Sequence, residues 1–366
     1  MANAQPGTKV RLLPEDEYTH TPDAASNYNE SMYFNMFDPE SKIGGWFRLG
    51  NRPNEGHAEM SVCLYLPGGR VAFMYGKPKI PDNKEMNAGG MKIEVIEPFK
   101  RLCLTYSGKV VVLANPSEMA DPAKAFKENP VVPCEVELDY EGVSPMFGGE
   151  TVKEDGSPLD LDPEKSFAKA HYEQHMAAKG RFHIGEEGFD VNGFGLRDKS
   201  WGPRYWQAIH WYRWLPMNFG RDFGMMISIV TNDEGKQRQG GMVLKDGKYD
   251  LIKSCTIVIY SYYSIFLLHT LLELYYYMVL ELQCHQSNTF QFLSILEWYR
   301  AFWRMSFLFW VKTLLFKVIH DIASLVILPT TKRHDDVVLD YVVQTMFSEP
   351  IESLLLPVSR DRRRHK

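Results

Sequence analysis

AEMSVCLYLPGGRVAFMYG, residues 58–76, sets two short apolar runs either side of a Pro-Gly-Gly corner. Each run is rich in β-branched and aromatic residues and too short for a packed helix. A turn-forming triplet between them makes the pair read as two adjacent strands. The same style extends outward in both directions. SMYFNMF (31–37), GGWFRLG (44–50), MKIEVIEP (91–98), LCLTYSG (102–108) and KVVVLAN (109–115) are further strands. They are divided by DPESKIGG, NRPNEGH and KPKIPDNKEMNAGG, whose glycine, proline and asparagine residues break regular structure. In MKIEVIEP, Met91, Ile93 and Val95 share one face of a strand. CEVELDYEGV (134–143) alternates likewise, with Cys134, Val136 and Leu138 on one side. ADPAKAFKEN (120–129) reads as a short helix or turn. Many short strands with few helices give an all-β class, a sandwich or a barrel.

The loop SPMFGGETVKEDGSPLDLDPEK (144–165) reads as a linker and places a domain boundary near Glu150. A second β set follows it, from AHYEQHMAAKG (170–180) to KYDLI (248–252). The expected organisation is a flexible polar arm over 1–25, one β domain over 26–150, a second over 151–252, and a distinct tail over 253–366. The second β domain is cut short near residue 252. A barrel hides its edges only when complete, so an open edge is expected there.

The tail differs in composition. Glycine never recurs after Gly247, although roughly eight would be expected at average usage. TIVIYSYYSIFLLHTLLELYYYMVLEL and the apolar stretch 302–328 follow, and the chain ends in RDRRRHK. Three readings compete. Residues 255–328 are a membrane anchor, though Lys312, Lys317, His320 and Asp321 interrupt the second span. Alternatively they are amphipathic helices packed on the barrel or a membrane surface. Or the tail is translated non-coding or frame-shifted sequence, since Phe, Leu, Ile, Val, Tyr and Ser dominate it.

The chain has 366 residues and a net charge of −5, which argues against nucleic acid as a main partner. Five cysteines show neither CxxC pairs nor metal-ligand spacing, as expected for reduced thiols. The first residues carry no apolar signal segment, so the expected location is cytoplasmic, or membrane-associated through the tail. The sequon at Asn29 is then expected to carry no glycan.

Two stretches carry candidate chemistry. In HYEQH (171–175), His171, Glu173 and His175 point the same way on a strand. Two histidines and a carboxylate suit Zn²⁺ or Fe(II). Yet neighbouring same-face residues are about 7 Å apart, too far for all three to hold one ion, so no metal is expected. The second stretch is RDKSWGPRYW (197–206). Arg197 and Asp198 face opposite sides of a strand. A carboxylate set among tryptophan and tyrosine is desolvated, its pKa rises, and Asp198 becomes a candidate general acid. Equally, Asp198 pairs with Arg197, Lys199 or Arg204 and fixes a turn. Trp201, Arg204, Tyr205 and Trp206, with Trp211, Tyr212 and Trp214, are candidates to line an apolar site or to fill a core. GxSxG, P-loop and dinucleotide fingerprints are missing, and no cofactor is demanded.

Blocks 30–60, 135–150, 171–180 and 193–207 together resemble a family of two-domain lipocalin-like proteins related to hydroxyneurosporene synthase, AttH-like proteins and survival-factor lipid-binding proteins. The resemblance covers roughly residues 25–252 and ends where the glycines end. It implies tandem lipocalin-like antiparallel β-barrels, the second truncated, with an apolar ligand site in or between them. The implied function is binding of a hydrophobic small molecule or lipid of isoprenoid, steroid or fatty-acyl type in a barrel cavity. An alternative is a hydratase or cyclase in which Asp198 starts the chemistry, with His171, Glu173 or Tyr205 orienting water or the developing charge. A third is a membrane-tethered interaction protein, resting on the tail. Relatives read D-H-x-W-G where this chain has Asp198-Lys199-Ser200-Trp201-Gly202. Asp198 and Trp201 carry over, and Lys199 departs from the pattern.

Overall fold

In a computed structural model, residues 7–160, 162, 167–206, 209–232, 235–252, 255–259 and 342–345 are described. The strands of the first half are β1 (Thr8–Arg11), β2 (Tyr28–Asp38), β3 (Ile43–Arg52), β4 (His57–Tyr65), β5 (Val71–Gly76), β6 (Met86–Ala88), β7 (Met91–Glu97), β8 (Arg101–Leu113) and β9 (Val131–Gly142). Then come β10 (Phe147–Lys153), β11 (Ala170–Ile184), β12 (Glu187–Pro203), β13 (Trp211–Asn218), β14 (Phe223–Thr231), β15 (Gln237–Lys245) and β16 (Lys248–Leu251). Among the described residues one α-helix, α1 (Pro122–Glu128), caps its first turn with the Asp121 side chain, which accepts from Lys124 N at 3.1 Å.

Neighbour by neighbour, β2, β3, β4, β5, β8, β9, β11 and β12 pair antiparallel, and β9 reaches both β8 and β11. These eight strands therefore close a ring. The two-residue alternation decides what enters it. On β9, Cys134, Val136, Leu138 and Tyr140 are buried and Glu135, Glu137 and Asp139 are exposed. The PGG corner between β4 and β5 uses positive φ at Gly68 (79°) and Gly69 (74°), which glycine adopts without strain. Inside the ring, Phe34, Phe47, Leu49, Met91, Leu104, Tyr140, Met176 and Phe182 pack together.

Three expectations need correction. The boundary near Glu150 does not separate two sheets. Strands β11 and β12, from beyond it, supply the last two staves of the first ring, and residues 1–255 form one compact unit. The reason is edge closure: β2 and β9 would otherwise be open. Second, residues 13–20 are no loose arm. Glu17 is fully buried and its carboxylate takes Arg197 Nη1 at 2.5 Å, Arg197 Nη2 at 2.8 Å and the Tyr172 hydroxyl at 2.8 Å. Third, where a hollow ring is expected, the described residues fill its interior with packed side chains. A recess of about 210 Å³ bordered by Glu17, Met32, Met86 and Ile93 is smaller than the ~300 Å³ at which ligand pockets begin.

The remaining strands β13–β16 form a separate four-stranded antiparallel sheet. Met226 and Met242 of that sheet bury against Leu196 of β12, with Phe147, Trp214 and Tyr249 around them. This sheet therefore lies over the outward face of β11 and β12, where a second barrel is expected.

The second compact unit begins at Thr256. Its described residues are two strands, β17 (Thr256–Ile259) and β18 (Val342–Thr345), which pair in parallel. Among the described residues no helix is long and apolar enough to cross a membrane. The expected anchor or helices over 255–328 lie almost wholly outside the described residues.

Candidate functional site

Strand registers lay the outer face of the ring out as a grid. One row runs Glu173, Asp198, Tyr33, Arg48 across β11, β12, β2 and β3. The next runs His171, Ser200, Ser31, Gly50. Adjacent strands are about 4.8 Å apart, so each row brings distant sequence into contact.

Three titratable groups meet at the β11 end. His171 Nε2 hydrogen-bonds Asp198 Oδ2 and lies 3.5 Å from Glu173 Oε1. Trp214 Nε1, from the covering sheet, donates to the same Glu173 oxygen at 2.7 Å. The other oxygen, Glu173 Oε2, is buried and has no hydrogen-bond partner. A carboxyl 1% exposed with an unsatisfied oxygen is better neutral than charged. Burial raises the Glu173 pKa to about 7; the nearby His171 cation and the Trp214 hydrogen bond oppose that rise, and the Asp198 charge adds to it. At His171, desolvation acts downward, and the Asp198 charge and hydrogen bond, with Glu173, outweigh it and hold the ring up at about 9. The His171 side chain is 44% accessible, so the trio meets solvent there.

Aromatic side chains stand beside the trio. Tyr33 stacks on Trp46 at 6.2 Å and meets Trp214 edge-on at 5.1 Å. Cations bound the far side of the cluster. Arg48 Nη1 reaches Glu59 at 3.1 Å. Arg204, 6% exposed, donates Nη2 to Ser200 Oγ at 2.5 Å and stacks 4.0 Å over Phe167. Desolvation, then the Arg48 charge, push the Arg204 pKa down to about 10.

The sequence-chosen residues divide in two. Asp198, His171, Glu173 and Arg204 come together on the outer face. Trp201 does not: it points inward, stacks on His20 at 4.1 Å, and is 3% exposed. Trp206 is 41% exposed beside Arg204, and Tyr205 is half-buried after the end of β12. Trp211 and Tyr212 are exposed, so of the aromatic group only Trp214 touches the charged trio. Lys199 also points inward, with its Nζ 2.9 Å from Glu30 and bonded to the Asp16 and Tyr18 carbonyls. The departure from the D-H-x-W-G pattern is thereby absorbed in the core. Asp198 pairs with neither Arg197 nor Lys199 but with His171. Tyr33, Trp46 and Arg48 were missed, because only strand pairing brings residues so far apart in the chain to one place.

For a metal, His175 is not a partner of His171 and Glu173. Its Nδ1 bonds the Tyr249 hydroxyl at 2.9 Å, and burial pushes its pKa down to about 4. Asp198 takes the third place: one ligand atom each from His171, Glu173 and Asp198 lies within 4.8 Å of the others. That set suits a divalent ion, but here His171 Nε2 is committed to the Asp198 hydrogen bond.

An all-β chain with a closed antiparallel ring and a cluster of charged and aromatic side chains on its outer wall is the class that this geometry defines. The chain belongs to the family described as Domain of unknown function (DUF7064), whose model matches residues 13–264. Solved structures similar to it include a protein assigned as AttH from Nitrosomonas europaea, 12% identical over 69% of this chain and 75% of that one, with a TM-score of 0.41. Kievitone hydratase from Nectria haematococca is 8% identical over 69% and 70%, with a TM-score of 0.40. CghA is 10% identical over 68% and 66%, with a TM-score of 0.36. No curated protein matches the chain.

Proposed function

We propose that the protein binds an apolar small molecule against Trp46, Tyr33 and Trp214 and transfers a proton to it, as a hydratase or cyclase does. The observation that carries this is the unsatisfied Glu173 Oε2 beside a charged His171–Asp198 pair. A carboxyl with a pKa near 7 donates and regains a proton at neutral pH. The general acid is thus Glu173 rather than Asp198. Asp198 holds His171 as a cation, which orients water or stabilises charge developing on the ligand. Protonation of an alkene by Glu173 leaves a carbocation, which water or an internal nucleophile captures. The proton released by the captured group returns to the carboxylate, so atoms and charge balance.

The test is an extract of apolar metabolites incubated with the full chain in D2O and read by mass spectrometry. A compound that gains one deuterium or one D2O with the native protein, and not with Glu173→Gln, supports the reading. Equal conversion by the Glu173→Gln protein overturns it.

A second reading has its own observation, the trio of ligand atoms within 4.8 Å. Stoichiometric zinc in the purified native protein, lost on His171→Ala, would favour a metal-dependent reaction over direct proton transfer.

A further inference from the structure

Next to the proton-transfer trio, the same face carries buried donors that nothing in the fold satisfies. Arg204 is 6% exposed, and its Nε has no hydrogen-bond partner. Arg48 spends Nη1 on Glu59, and its buried Nη2 has none. Asn29 is fully buried, and neither its amide nitrogen nor its oxygen is bonded. An unmatched buried donor costs about 1–3 kcal/mol, more when charged, so three in one place mark a missing acceptor.

The grid shows that they share that place. Ser200, Ser31 and Gly50 pair in one row across β12, β2 and β3, and the Ser31 and Ser200 hydroxyls are 3.1 Å apart. Arg204 bonds Ser200 from above. Gly50 leaves the space that the others fill: a Cβ there would sit 2.8 Å from Arg48 Nη2 and 3.1 Å from Asn29 Oδ1. The charges agree with the geometry. Among the described residues, no carboxylate forms an ion pair with Arg204. The two acids that act on it from a distance are committed, Asp198 to His171 and Glu59 to Arg48 and Arg52. A planar oxyanion is the acceptor that two guanidinium groups, an amide and the one free hydroxyl proton of the Ser31–Ser200 pair recognise together.

We propose that Arg204, Arg48, Asn29, Ser31 and Ser200 form an oxyanion subsite, and that the ligand is an amphipathic organic acid whose carboxylate sits there. Arg48 stands two strands from Asp198 in its row, roughly 10 Å away. The carboxylate is therefore separated from the reacting carbon by several bonds, and the apolar body lies along Trp46 and Tyr33. This rests on the proton-transfer reading for its reacting end only; the anion subsite stands on its own donors.

Dodecanoate and dodecanol separate the acid from its uncharged isostere. In titrations of the full chain, dodecanoate is expected to bind at least roughly tenfold tighter than the alcohol, and that ratio should collapse in Arg204→Met. Arg48→Met, at a more accessible position, provides the same readout if the Arg204 variant does not fold by circular dichroism. Equal affinity for acid and alcohol, or a ratio unchanged in a folded arginine variant, overturns the subsite. The Glu173→Gln protein keeps the two readings apart. Acid preference retained while deuterium transfer is lost supports both. Acid preference without any deuterium transfer by the native protein supports the subsite and rejects the acid–base reading. Deuterium transfer without acid preference does the reverse.

Discussion

Replacing Asp198 with asparagine keeps the shape of the β12 side chain and removes its charge. His171 then loses the ionic partner that, with its charged hydrogen bond, holds the pKa near 9 against an ordinary 6.5, and keeps only a neutral amide oxygen as acceptor. The folded value is raised, so the linked stability is fully present below about pH 6.5 and disappears as pH rises through about 9. A shift of that size corresponds to about 3 kcal/mol at full strength. The ring is 44% accessible, and solvent screening reduces the expected effect to about 1–2 kcal/mol. Urea unfolding of the Asp198→Asn and native proteins near pH 6 should differ by that amount, and the gap should narrow between about pH 6.5 and 9. Histidine C2-proton NMR should show the His171 midpoint falling toward 6.5 or below. A stability gap independent of pH, with an unmoved His171 midpoint, would refute the assignment of Asp198 as the partner of His171.

Glu173→Gln should behave oppositely. Burial raises the Glu173 pKa from an ordinary 4.5 to about 7, so the native protein loses stability as pH climbs from about 4.5 to about 7 and the amide does not; the variant should gain on the native protein across that window in the same urea assay. Trp214→Phe removes the 2.7 Å hydrogen bond that favours the Glu173 anion, and should move the midpoint of Glu173 further up, read by carboxyl ¹³C NMR. Glu17→Gln leaves Arg197, 1% exposed, without a counter-charge and should cost about 3–5 kcal/mol in unfolding free energy. Leu138→Ala, in the centre of the ring, should cost about 2–5 kcal/mol without altering the pH dependence.

Strands were legible wherever alternation was strong. Met91 and Ile93 on β7, and Cys134, Val136 and Leu138 on β9, face the core as their spacing requires. The stretch 120–129 reads as a short helix or turn, and α1 forms within it. What stayed hidden was pairing between strands far apart in sequence. Nothing local in 170–203 says that β11 closes on β9 and β12 on β2, and so a reading of the sequence ends the first barrel too early. The same blindness split the site: Glu173 and Asp198 are 25 positions apart yet stand opposite each other in register. One clue was available in Arg197 and Lys199. They share a strand face, and two cations turned into a barrel need two buried anions. Glu17 and Glu30 are those anions, the first of them from the segment whose polar composition reads as a loose arm.

The most direct test of the account is the titration of Glu173 itself, by ¹³C NMR of its carboxyl carbon with Glu173→Gln assigning the signal. The account predicts a midpoint near 7, a carboxyl that is partly protonated at neutral pH. A midpoint near the ~4.3 of a solvated glutamate would mean a permanent carboxylate, and the proton-transfer function would fall.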